Sequence, residues 1–312
     1  MIEAGALAAA QLALLIAIAP GVNGLIKTLK ARLQGRRGPH PLQPYRELWK
    51  LLRKDTVVSA RASWVTRAAP LVYAGAIATA ALLVPALWIP APLGGWGDAL
   101  ALVGLFALAR FALALAGLDQ GSAFGGMGSS REVAVAALAE PALVLALFAV
   151  ALRTGGTDLS ATAATLAALG PAAITPGQLL ALAAVAIVIA AETGRVPVDN
   201  PDTHLELTMI HEGMLLEYAG RPLGILVWAT LLKQTVLFAL LIAAFFPWGI
   251  AATGGGVPRA AAAFGAKLLC LAIGVALAES SQAKLRIFKV PELMGAAFLL
   301  ALLAVVTDLV LA

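Results

Sequence analysis

The chain has 312 residues, of which 61% are hydrophobic and only 12% are charged, and its formal net charge at pH 7 is +5. Soluble globular proteins carry roughly 25% charged residues, so this composition excludes a disordered chain, a collagen-like chain and an ordinary cytosolic enzyme. The single cysteine, Cys270, excludes an internal disulfide and any cluster of thiolates around zinc or an iron–sulfur centre.

Apolar segments long enough to cross a bilayer, which takes about 20 residues each, recur along the whole chain. They predict an all-α, polytopic membrane protein with eight transmembrane helices, folded as a single integral membrane domain over residues 1–312. No basic residue precedes the first segment, which indicates a retained span rather than a cleaved signal peptide. The fifth segment is interrupted by Pro176, and the stretch 157–170 before it is expected to lie along the membrane interface. The approximate bounds are 4–26, 68–89, 98–118, 133–152, 174–191, 223–246, 260–282 and 292–311.

The lysines and arginines are distributed unevenly between the two sides of these segments. Eleven lie between the first and second segments and six more in other loops of the same side, whereas the opposite loops carry Arg153 and Arg259. By the positive-inside rule, this asymmetry predicts that the loops 27–67, 119–131 and 192–222 face the cytoplasm. Both termini are then expected on the non-cytoplasmic side.

Segment 36–55, RRGPHPLQPYRELWKLLRKD, combines a helix-breaking start with an amphipathic continuation. One glycine and three prolines disfavour helix in its first half. From Tyr45 onward, Leu48, Leu51 and Leu52 fall on one face among basic residues, which predicts an amphipathic cytoplasmic helix. Two interpretations stay open for this helix: it is held at the interface by anionic lipid, or it docks a soluble partner.

Segment 119–132, DQGSAFGGMGSSRE, is rich in glycine. No Lys-Ser or Lys-Thr pair follows the glycines and no strand precedes them, which excludes a P-loop and a dinucleotide fingerprint. The segment is interpreted either as a plain connector or as backbone that lines a cavity and allows close approach of a ligand or another chain. Ser129 or Ser130 is expected to cap the fourth span.

Segment 192–222 is acidic, against the charge trend of its side. A helix is predicted in it from about residue 200 to residue 220. On that helix, acids share one face and histidines lie on the opposite one, which argues against a joint metal site. Three explanations stay open: pairing with a basic partner or with loop 27–67, protonatable groups at the mouth of a hydrated cavity, or a solvated amphipathic helix. The acids are Asp202, Glu206 and Glu217, and the histidines are His204 and His211.

Several charged residues fall inside apolar segments, where a charge costs at least about 2.5–3.5 kcal/mol on insertion scales. Glu140, Lys233 and Lys267 are interpreted as parts of a polar path inside the bundle, and acids such as Glu279 are possible partners for the lysines. For the two remaining residues, Arg110 and Asp308, snorkelling or an end position is an equally good explanation.

Three runs of the chain carry a family resemblance: RRGPHPLQPYRELWKLLRKD, AFGGMGSSRE and AETGRVPVDNPDTHLELTMIHEGMLLEYAGRP. They resemble the respiratory complex I subunit 1 family, and within it the membrane-anchor branch of group 4 NiFe hydrogenases of the formate hydrogenlyase and hydrogenase-4 type. The resemblance covers essentially the whole chain. The third run departs from quinone-type relatives at Gly194, Val198, Asn200 and His204, which favours the hydrogenase branch.

The resemblance implies a subunit of the cell inner membrane that binds no metal or cofactor itself, with iron–sulfur and NiFe centres in partner subunits. The expected partners are soluble NiFe-hydrogenase-like and iron–sulfur subunits on the cytoplasmic face, antiporter-like membrane subunits and membrane lipid, with no nucleic acid. The expected docking residues are Arg36, Arg37, Arg46, Arg131 and Arg195. Together with the charges inside the spans, the expected residues of a proton path are Glu140, Glu192, Asp199, Asp202, Glu206, Glu212, Glu217, Lys233, Lys267 and Glu279.

Three functional hypotheses follow from the sequence. The first is a membrane-anchor and ion-coupling subunit of a hydrogenase-type oxidoreductase, with no catalytic residue of its own. The second is the quinone-chamber subunit of an NADH dehydrogenase of the complex I type. The third is a stand-alone secondary transporter, which the lack of a convincing repeat between the two halves of the sequence disfavours.

Overall fold

A computed structural model describes residues 2–199, 209–251 and 256–311, and within these ranges the chain is helical without an extended strand. The prediction of an all-α protein is confirmed. Seven of the described helices are long and apolar enough to cross a membrane, and an eighth span results if the bent pair α6 and α7 is counted as one. The α-helices of the described ranges are α1 (Ile2–Leu33), α2 (Gln43–Arg53), α3 (Trp64–Leu83), α4 (Ala99–Asp119), α5 (Ala123–Thr154), α6 (Leu159–Leu169), α7 (Pro176–Glu192), α8 (Gly220–Phe245), α9 (Val257–Ser281) and α10 (Val290–Leu311).

The spans pack into one bundle around α8. Helix α5 contacts α10, α7 and α4, while α3 joins α4 to α8, and α1 joins α8 to α9. Helix α8 is buried along most of its length, whereas α9 and α10 leave apolar side chains such as Leu277 and Leu303 exposed. These outer faces therefore suit contact with lipid or with another membrane chain.

Helices α5 and α10, which contact each other, both carry buried alanines at four-residue spacing. Ala142 and Ala146 on α5 are fully buried, and so are Ala297 and Ala301 on α10. Both pairs have the four-residue spacing that places side chains on one helix face. Alanine at such positions brings two helix backbones close together, which favours van der Waals packing where the hydrophobic effect cannot hold helices together.

Polar side chains fix where several helices begin. In each case a Ser, Thr or Asp oxygen accepts a hydrogen bond from a backbone N–H of the first turn, which satisfies one of the donors left free at a helix start. The capping residues are Ser63 for α3, Asp98 for α4, Ser122 for α5, Asp158 for α6 and Thr175 for α7.

We call the end of the bundle at which α1, α4, α7 and α9 terminate the loop face. Its connections contact one another: Asp119 accepts a hydrogen bond from the backbone N–H of Ser63 at 2.9 Å, and the Tyr218 hydroxyl donates to the carbonyl of Thr66 at 2.9 Å. Burial raises the pKa of the Tyr218 phenol, which keeps this donor protonated. The loop face is therefore a packed layer rather than a set of independent loops.

Two spans extend further toward the loop face than predicted. Helix α1 continues to Leu33, and α5 begins at Ala123, so the glycine-rich segment is helical. The cap of α5 is Ser122, and the expectation that Ser129 or Ser130 caps this span is wrong. The Ser129 hydroxyl instead donates to the carbonyl oxygens of Gly125 and Ala114, at 2.8 and 2.9 Å.

The fifth predicted span, 174–191, corresponds to α7, which follows a sharp bend. The helical stretch Leu159–Ala173, which begins with α6, meets α7 at an angle of 118°; Pro171 lies just before the break and Pro176 is the first residue of α7. Proline disfavours a continuous helix because it lacks the backbone N–H that an interior turn requires. Residues 157–170, which were predicted to lie along the membrane interface, form mainly the separate helix α6, whose buried Leu166 packs into the core.

The helix predicted over residues 200–220 is not present in its described part. Residues 200–208, which include Asp202, His204 and Glu206, lie outside the described residues. Residues 209–219 form bends, one short 3-10 turn at Glu212–Met214 and extended backbone. Gly220, predicted as a helix stop, instead begins α8, with a positive φ of 62° that glycine adopts without strain. The physical reason is packing, since Ile210 and Met214 are buried among the helices.

The amphipathic helix α2 is confirmed, and its apolar face packs inside the protein. Leu48 is buried, and α2 contacts both α1 and α8. The Tyr45 hydroxyl donates to the carbonyl of Ala17 and accepts from the backbone N–H of Gly21. The outward side of α2 is therefore its basic side, with Arg46 and Lys50 exposed.

Candidate functional site

Five charged side chains meet in the interior of the bundle, and we call them the Arg110 cluster. Arg110 of α4 contacts Glu140 of α5, and its Nη2 lies 2.5 Å from Oε1 of Glu192 at the end of α7. The other oxygen of Glu192 lies 2.7 Å from Nζ of Lys233 on α8, and Glu132 lies 3.6 Å from Nε of Arg110. Four helices thus contribute one connected group of charges.

Burial and charge count distinguish the Arg110 cluster from a surface ion pair. The side chains of Arg110, Glu192 and Lys233 are 6%, 3% and 4% exposed. The cluster has three carboxylates and two cations, so one negative charge is in excess when all are ionised. Glu140 is 33% exposed and is the member that is most accessible from outside the chain.

A second group, the Glu279 cluster, lies toward α1 and α9. Glu279 is held by Lys30 at 3.1 Å and by Arg195 at 2.7 Å. The same guanidinium donates to the side-chain oxygen of Gln234 at 2.9 Å, which also accepts from Asn23. Among the described residues this cluster has two cations and one carboxylate, which is the opposite charge balance to that of the Arg110 cluster.

Asp199 joins the connection after α7 to the connection after α9. Its Oδ1 lies 2.9 Å from Nζ of Lys284, and its Oδ2 accepts the backbone N–H of Ile210 at 3.1 Å. Asp199 is 3% exposed. A buried carboxylate with an ion pair and a backbone donor is a fixed structural charge.

Two cavities lie beside these clusters. The large cavity, of about 230 Å³, is lined by the Glu279 cluster together with Lys27 and Glu212. The small cavity, of about 10 Å³, has room for about one water molecule and is lined by Arg110, Glu132 and Glu192. The large cavity is therefore next to the positive cluster, and the small one is next to the negative cluster.

His211 is hydrogen-bonded between the two cavities. The hydroxyl of Thr230 donates to the carbonyl of Leu226 at 2.9 Å, so its oxygen is left to accept from the Tyr73 hydroxyl at 3.3 Å and from Nε2 of His211 at 3.2 Å. Burial lowers the pKa of His211 below its ordinary value of 6.5, and nearby carboxylates offset only part of that effect. The imidazole is thus neutral, with its hydrogen on Nε2.

The structure brings together part of the predicted proton path. Glu140, Glu192 and Lys233 belong to the Arg110 cluster, Glu279 anchors the second cluster, and Asp199 lies between them. Among the remaining predictions, Glu212 lines the large cavity. Glu217 is exposed on the loop face, and Asp202 and Glu206 lie outside the described residues.

Lys267 lies away from both clusters. Its ammonium group donates to the carbonyl oxygens of Phe246 and Trp248 at the end of α8 opposite the loop face. At 1.5 Å per residue, this end is about 20 Å along α8 from Lys233. Lys267 therefore satisfies carbonyl groups left free at a helix C-terminus.

The five predicted docking residues differ in their surroundings. Arg36, Arg37 and Arg46 are exposed on the loop face. Arg131 donates to the backbone carbonyl of Met209 at 3.0 Å, and Arg195 is held inside the Glu279 cluster. Arg131 and Arg195 therefore bind segments of their own chain.

Several members of the site were not predicted as site residues from the sequence. Arg110 and Glu132 complete the first cluster, and Lys30 and Gln234 complete the second. The position of Arg110 deep in an apolar run was the available signal, because a charge in hydrocarbon is costly unless it is paired. Within the described residues, no group of three or more His, Cys, Asp or Glu side chains is arranged to hold a metal ion.

Comparison with known proteins gives one family and several relatives. The model of the family described as NADH dehydrogenase matches residues 6–309. The chain is 37% identical over 299 residues to formate hydrogenlyase subunit 4 of Escherichia coli K12, covering 95% of this chain and 96% of that protein. It is 36% identical over 242 residues to hydrogenase-4 component C of the same organism, covering 78% and 75%.

A solved structure has the same fold. A chain of the membrane-bound sulfane sulfur reductase, an archaeal respiratory membrane complex, superposes with a TM-score of 0.84 at 19% sequence identity. The superposition covers 98% of this chain and 99% of that one.

Proposed function

The chain belongs to the NADH dehydrogenase family, and on this premise we propose that it is the membrane-anchor and ion-coupling subunit of a multi-subunit oxidoreductase of the hydrogenase or formate hydrogenlyase type. Relatives at 37% and 36% identity are subunits of such enzymes. The helices described above make it a multi-pass membrane protein. The redox chemistry then takes place in partner subunits, and this chain binds the soluble arm and moves protons.

The buried Arg110 cluster is the observation that carries the coupling role. Taking charged groups out of water costs several kcal/mol per ion, even in a protein interior. A bundle with a purely structural role would gain little stability from five buried charged groups, because a smaller set would provide the same ion pairs. A network with an excess carboxylate can bind and release a proton when its pairing changes, and this is the property that a coupling subunit needs.

The loop face is the proposed docking surface. Arg36, Arg37 and Arg46 are exposed there, and Arg53 stacks on the exposed ring of Trp49 with its guanidinium carbon 4.3 Å from the ring centroid. Tryptophan and arginine are the side chains that most often dominate binding energy at protein interfaces. The basic side chains favour an acidic soluble partner, and the positive-inside rule puts this face in the cytoplasm, with both termini outside.

Partner identification tests the anchor role. The tagged chain is purified in mild detergent and the accompanying subunits are identified by mass spectrometry. NiFe-hydrogenase-like and iron–sulfur subunits are expected. A chain that is purified without any partner, at low salt and from cells that express the neighbouring genes, contradicts the proposal.

Proton-linked turnover of the assembled complex tests the coupling role. Glu192→Gln is expected to abolish proton movement in proteoliposomes, because it removes the carboxylate shared by Arg110 and Lys233. Arg259→Gln, at an exposed position on the end of the bundle opposite the loop face, is the control and is expected to behave as the unaltered protein. Full proton movement in an assembled Glu192→Gln complex would disprove the coupling role.

The quinone-chamber subunit of a complex I type enzyme is the second candidate. Its support is the description of the matching family as NADH dehydrogenase. Co-purified flavin-binding NADH-oxidising subunits, in place of hydrogenase subunits, would decide in its favour.

A further inference from the structure

We propose that His211 carries protons between the large cavity and the small cavity, and so connects the Glu279 cluster to the Arg110 cluster. This inference deepens the proposed coupling function and rests on it. The assigned atom is Nδ1 of the imidazole, which accepts a proton from water in the large cavity and releases it toward Glu132 in the small one.

The position of His211 is the first argument. Three residues line both cavities: Gly194, Asp199 and His211. Gly194 has no side chain to titrate. Asp199 is fixed by Lys284 at 2.9 Å and by the backbone N–H of Ile210 at 3.1 Å. Among the described residues, His211 is thus the titratable group that borders both spaces without an opposite charge bound to it at ion-pair distance.

The hydrogen bonds at Thr230 determine which ring nitrogen is available. Thr230 gives its own hydrogen to Leu226, so it can only accept from His211, and Nε2 must carry the ring hydrogen. Nδ1 then has a lone pair and no hydrogen. The ring is held at Nε2, and Nδ1 is the nitrogen that can take up and release a proton.

The charge balance on the two sides gives the transfer a direction. Counted over the described residues, the Glu279 cluster has two cations and one carboxylate, and the Arg110 cluster has three carboxylates and two cations. A proton that passes to Glu132, the carboxylate 3.6 Å from Arg110, neutralises the excess on the negative side. One O–H bond breaks on a protonated water of the large cavity, which leaves neutral water. One N–H bond then forms and breaks at Nδ1 of His211, one O–H bond forms on the carboxylate, and no electron is transferred.

The lowered pKa of His211 is consistent with this role. Burial favours the neutral imidazole, so Nδ1 is free to accept a proton. The ionisable groups that border the two cavities or contact the ring's hydrogen-bond partners come from seven helices and one connection. They are Lys27, Lys30, Tyr73, Arg110, Glu132, Glu192, Arg195, Asp199, Glu212, Lys233 and Glu279.

The test compares two substitutions of His211 in the assembled complex, reconstituted in proteoliposomes. His211→Gln keeps an N–H donor for Thr230 but cannot take up a proton. We expect it to assemble and to lower proton movement by about 100-fold, the size of a lost acid–base group. Arg259→Gln, which alters an exposed side chain at the end of the bundle opposite the loop face, is the control and is expected to leave the rate unchanged.

Chemical rescue separates a proton carrier from a structural ring. His211→Ala leaves space next to the large cavity, and added imidazole is expected to restore proton movement with a pH dependence that follows the added base. Pyrazole has the same shape but is a far weaker base, and it is expected to restore nothing. Equal rescue by both compounds, or a His211→Gln complex whose pH profile matches the unaltered one, overturns the proposal.

The two proposals fail in different ways. If Glu192→Gln stops proton movement and His211→Gln does not, the coupling function stands and the relay at His211 is wrong. If neither substitution has an effect in an assembled complex, the coupling function itself is wrong. If His211→Gln does not assemble, the rescue of His211→Ala by imidazole and not by pyrazole still decides for or against the relay.

Discussion

Glu192 and Lys233 meet in the interior of the bundle with Nζ 2.7 Å from Oε2, although one lies at the end of α7 and the other halfway along α8. Helix α7 is a short helix that follows a sharp bend, and the connection after it turns along the cavity walls. The bend therefore places a carboxylate beside charged groups that α4 and α8 carry within their apolar runs.

The energetic coupling of this pair can be measured. Glu192→Gln leaves Arg110 and Lys233 without the carboxylate they share, and loss of one member of a buried pair costs about 3–5 kcal/mol. Adding Lys233→Gln removes one of the stranded cations, so the double variant is expected to lose less than the sum of the two single losses. The measurement is the free energy of unfolding in mixed micelles, with Glu47→Gln and Lys50→Gln on the exposed side of α2 as the control cycle. If the loss of unfolding free energy in the double variant equals the sum of the two single losses, the side chains of Glu192 and Lys233 do not interact.

Arg195 and Arg37 are expected to have opposite phenotypes. Arg195→Ala removes one of two cations from the buried Glu279 and should lower the unfolding free energy by about 3 kcal/mol. Arg37→Ala, at an exposed position, should leave that free energy within about 0.5 kcal/mol of the unaltered value. Thermal and detergent unfolding of the isolated chain check both values, and equal stability of the two variants would contradict the internal role of Arg195.

Docking of the soluble arm is expected to depend on the exposed arginines and on salt. Replacing Arg36, Arg37 and Arg46 together by glutamate reverses the charge of this part of the loop face. Retention of the soluble subunits at low salt should fall. The decrease in retention that the unaltered chain shows between low and physiological salt should be lost in the variant, because salt screens an attraction that the variant no longer has. Glutamate at Arg259, on the opposite face by the sequence pattern, is the control. Unchanged retention in the triple variant would place the docking surface elsewhere.

The glycine-rich start of α5 offers a matched pair of substitutions. A Cβ at Gly128 would lie 3.0–3.1 Å from backbone atoms of Ile210, Gly213 and Met214, which have no side-chain freedom to move away. Gly128→Ala is therefore expected to destabilise the protein by about 1–3 kcal/mol and to raise hydrogen exchange in residues 209–214. Gly126 has open space around it, so Gly126→Ala should be neutral or stabilise by up to about 1 kcal/mol. Similar hydrogen exchange of residues 209–214 in both variants would contradict the close approach of Gly128 to this segment.

His211 is expected to make the protein less stable in acid. The folded chain holds the pKa of His211 below 6.5, whereas the unfolded chain protonates this residue near 6.5, so the unfolded state binds more protons as the pH falls. Stability from this residue is present above pH 6.5 and is lost below it by up to about 1.4 kcal/mol per pH unit. The difference in unfolding free energy between unaltered chain and His211→Gln, followed from pH 8 to pH 5.5, should change with this sign. If the difference in unfolding free energy between the two proteins does not vary with pH, His211 has the same pKa in the folded and the unfolded state.

The interior of the protein was less predictable than its spans. A long apolar run predicts a helix because only a helix satisfies its backbone hydrogen bonds within the bilayer. It does not tell which way a charged side chain points. Arg110, for which snorkelling was an equally good explanation, instead pairs with Glu140 and Glu192, which are 30 and 82 residues away in the chain. Such pairs depend on which helices are neighbours, and hydrophobic patterning does not specify that.

The acidic segment after α7 shows where local pattern and tertiary packing disagree. Asn-Pro followed by acids is a good helix start by local rules, yet residues 209–219 adopt turns because Ile210 and Met214 are buried between helices. His211 consequently lies between two cavities, and not on the solvated face of a helix.

The sequence by itself determined that this is a helical membrane protein with a basic loop face, because the length of apolar runs and the placement of lysine and arginine are local properties that the bilayer selects directly. It also contained the family resemblance. Only the tertiary structure decided which charges share the interior: Glu192 with Arg110 and Lys233, Arg195 with Glu279, and His211 between the two groups. The reason is that ion pairs act over a few ångströms, and those distances exist only after the helices have packed.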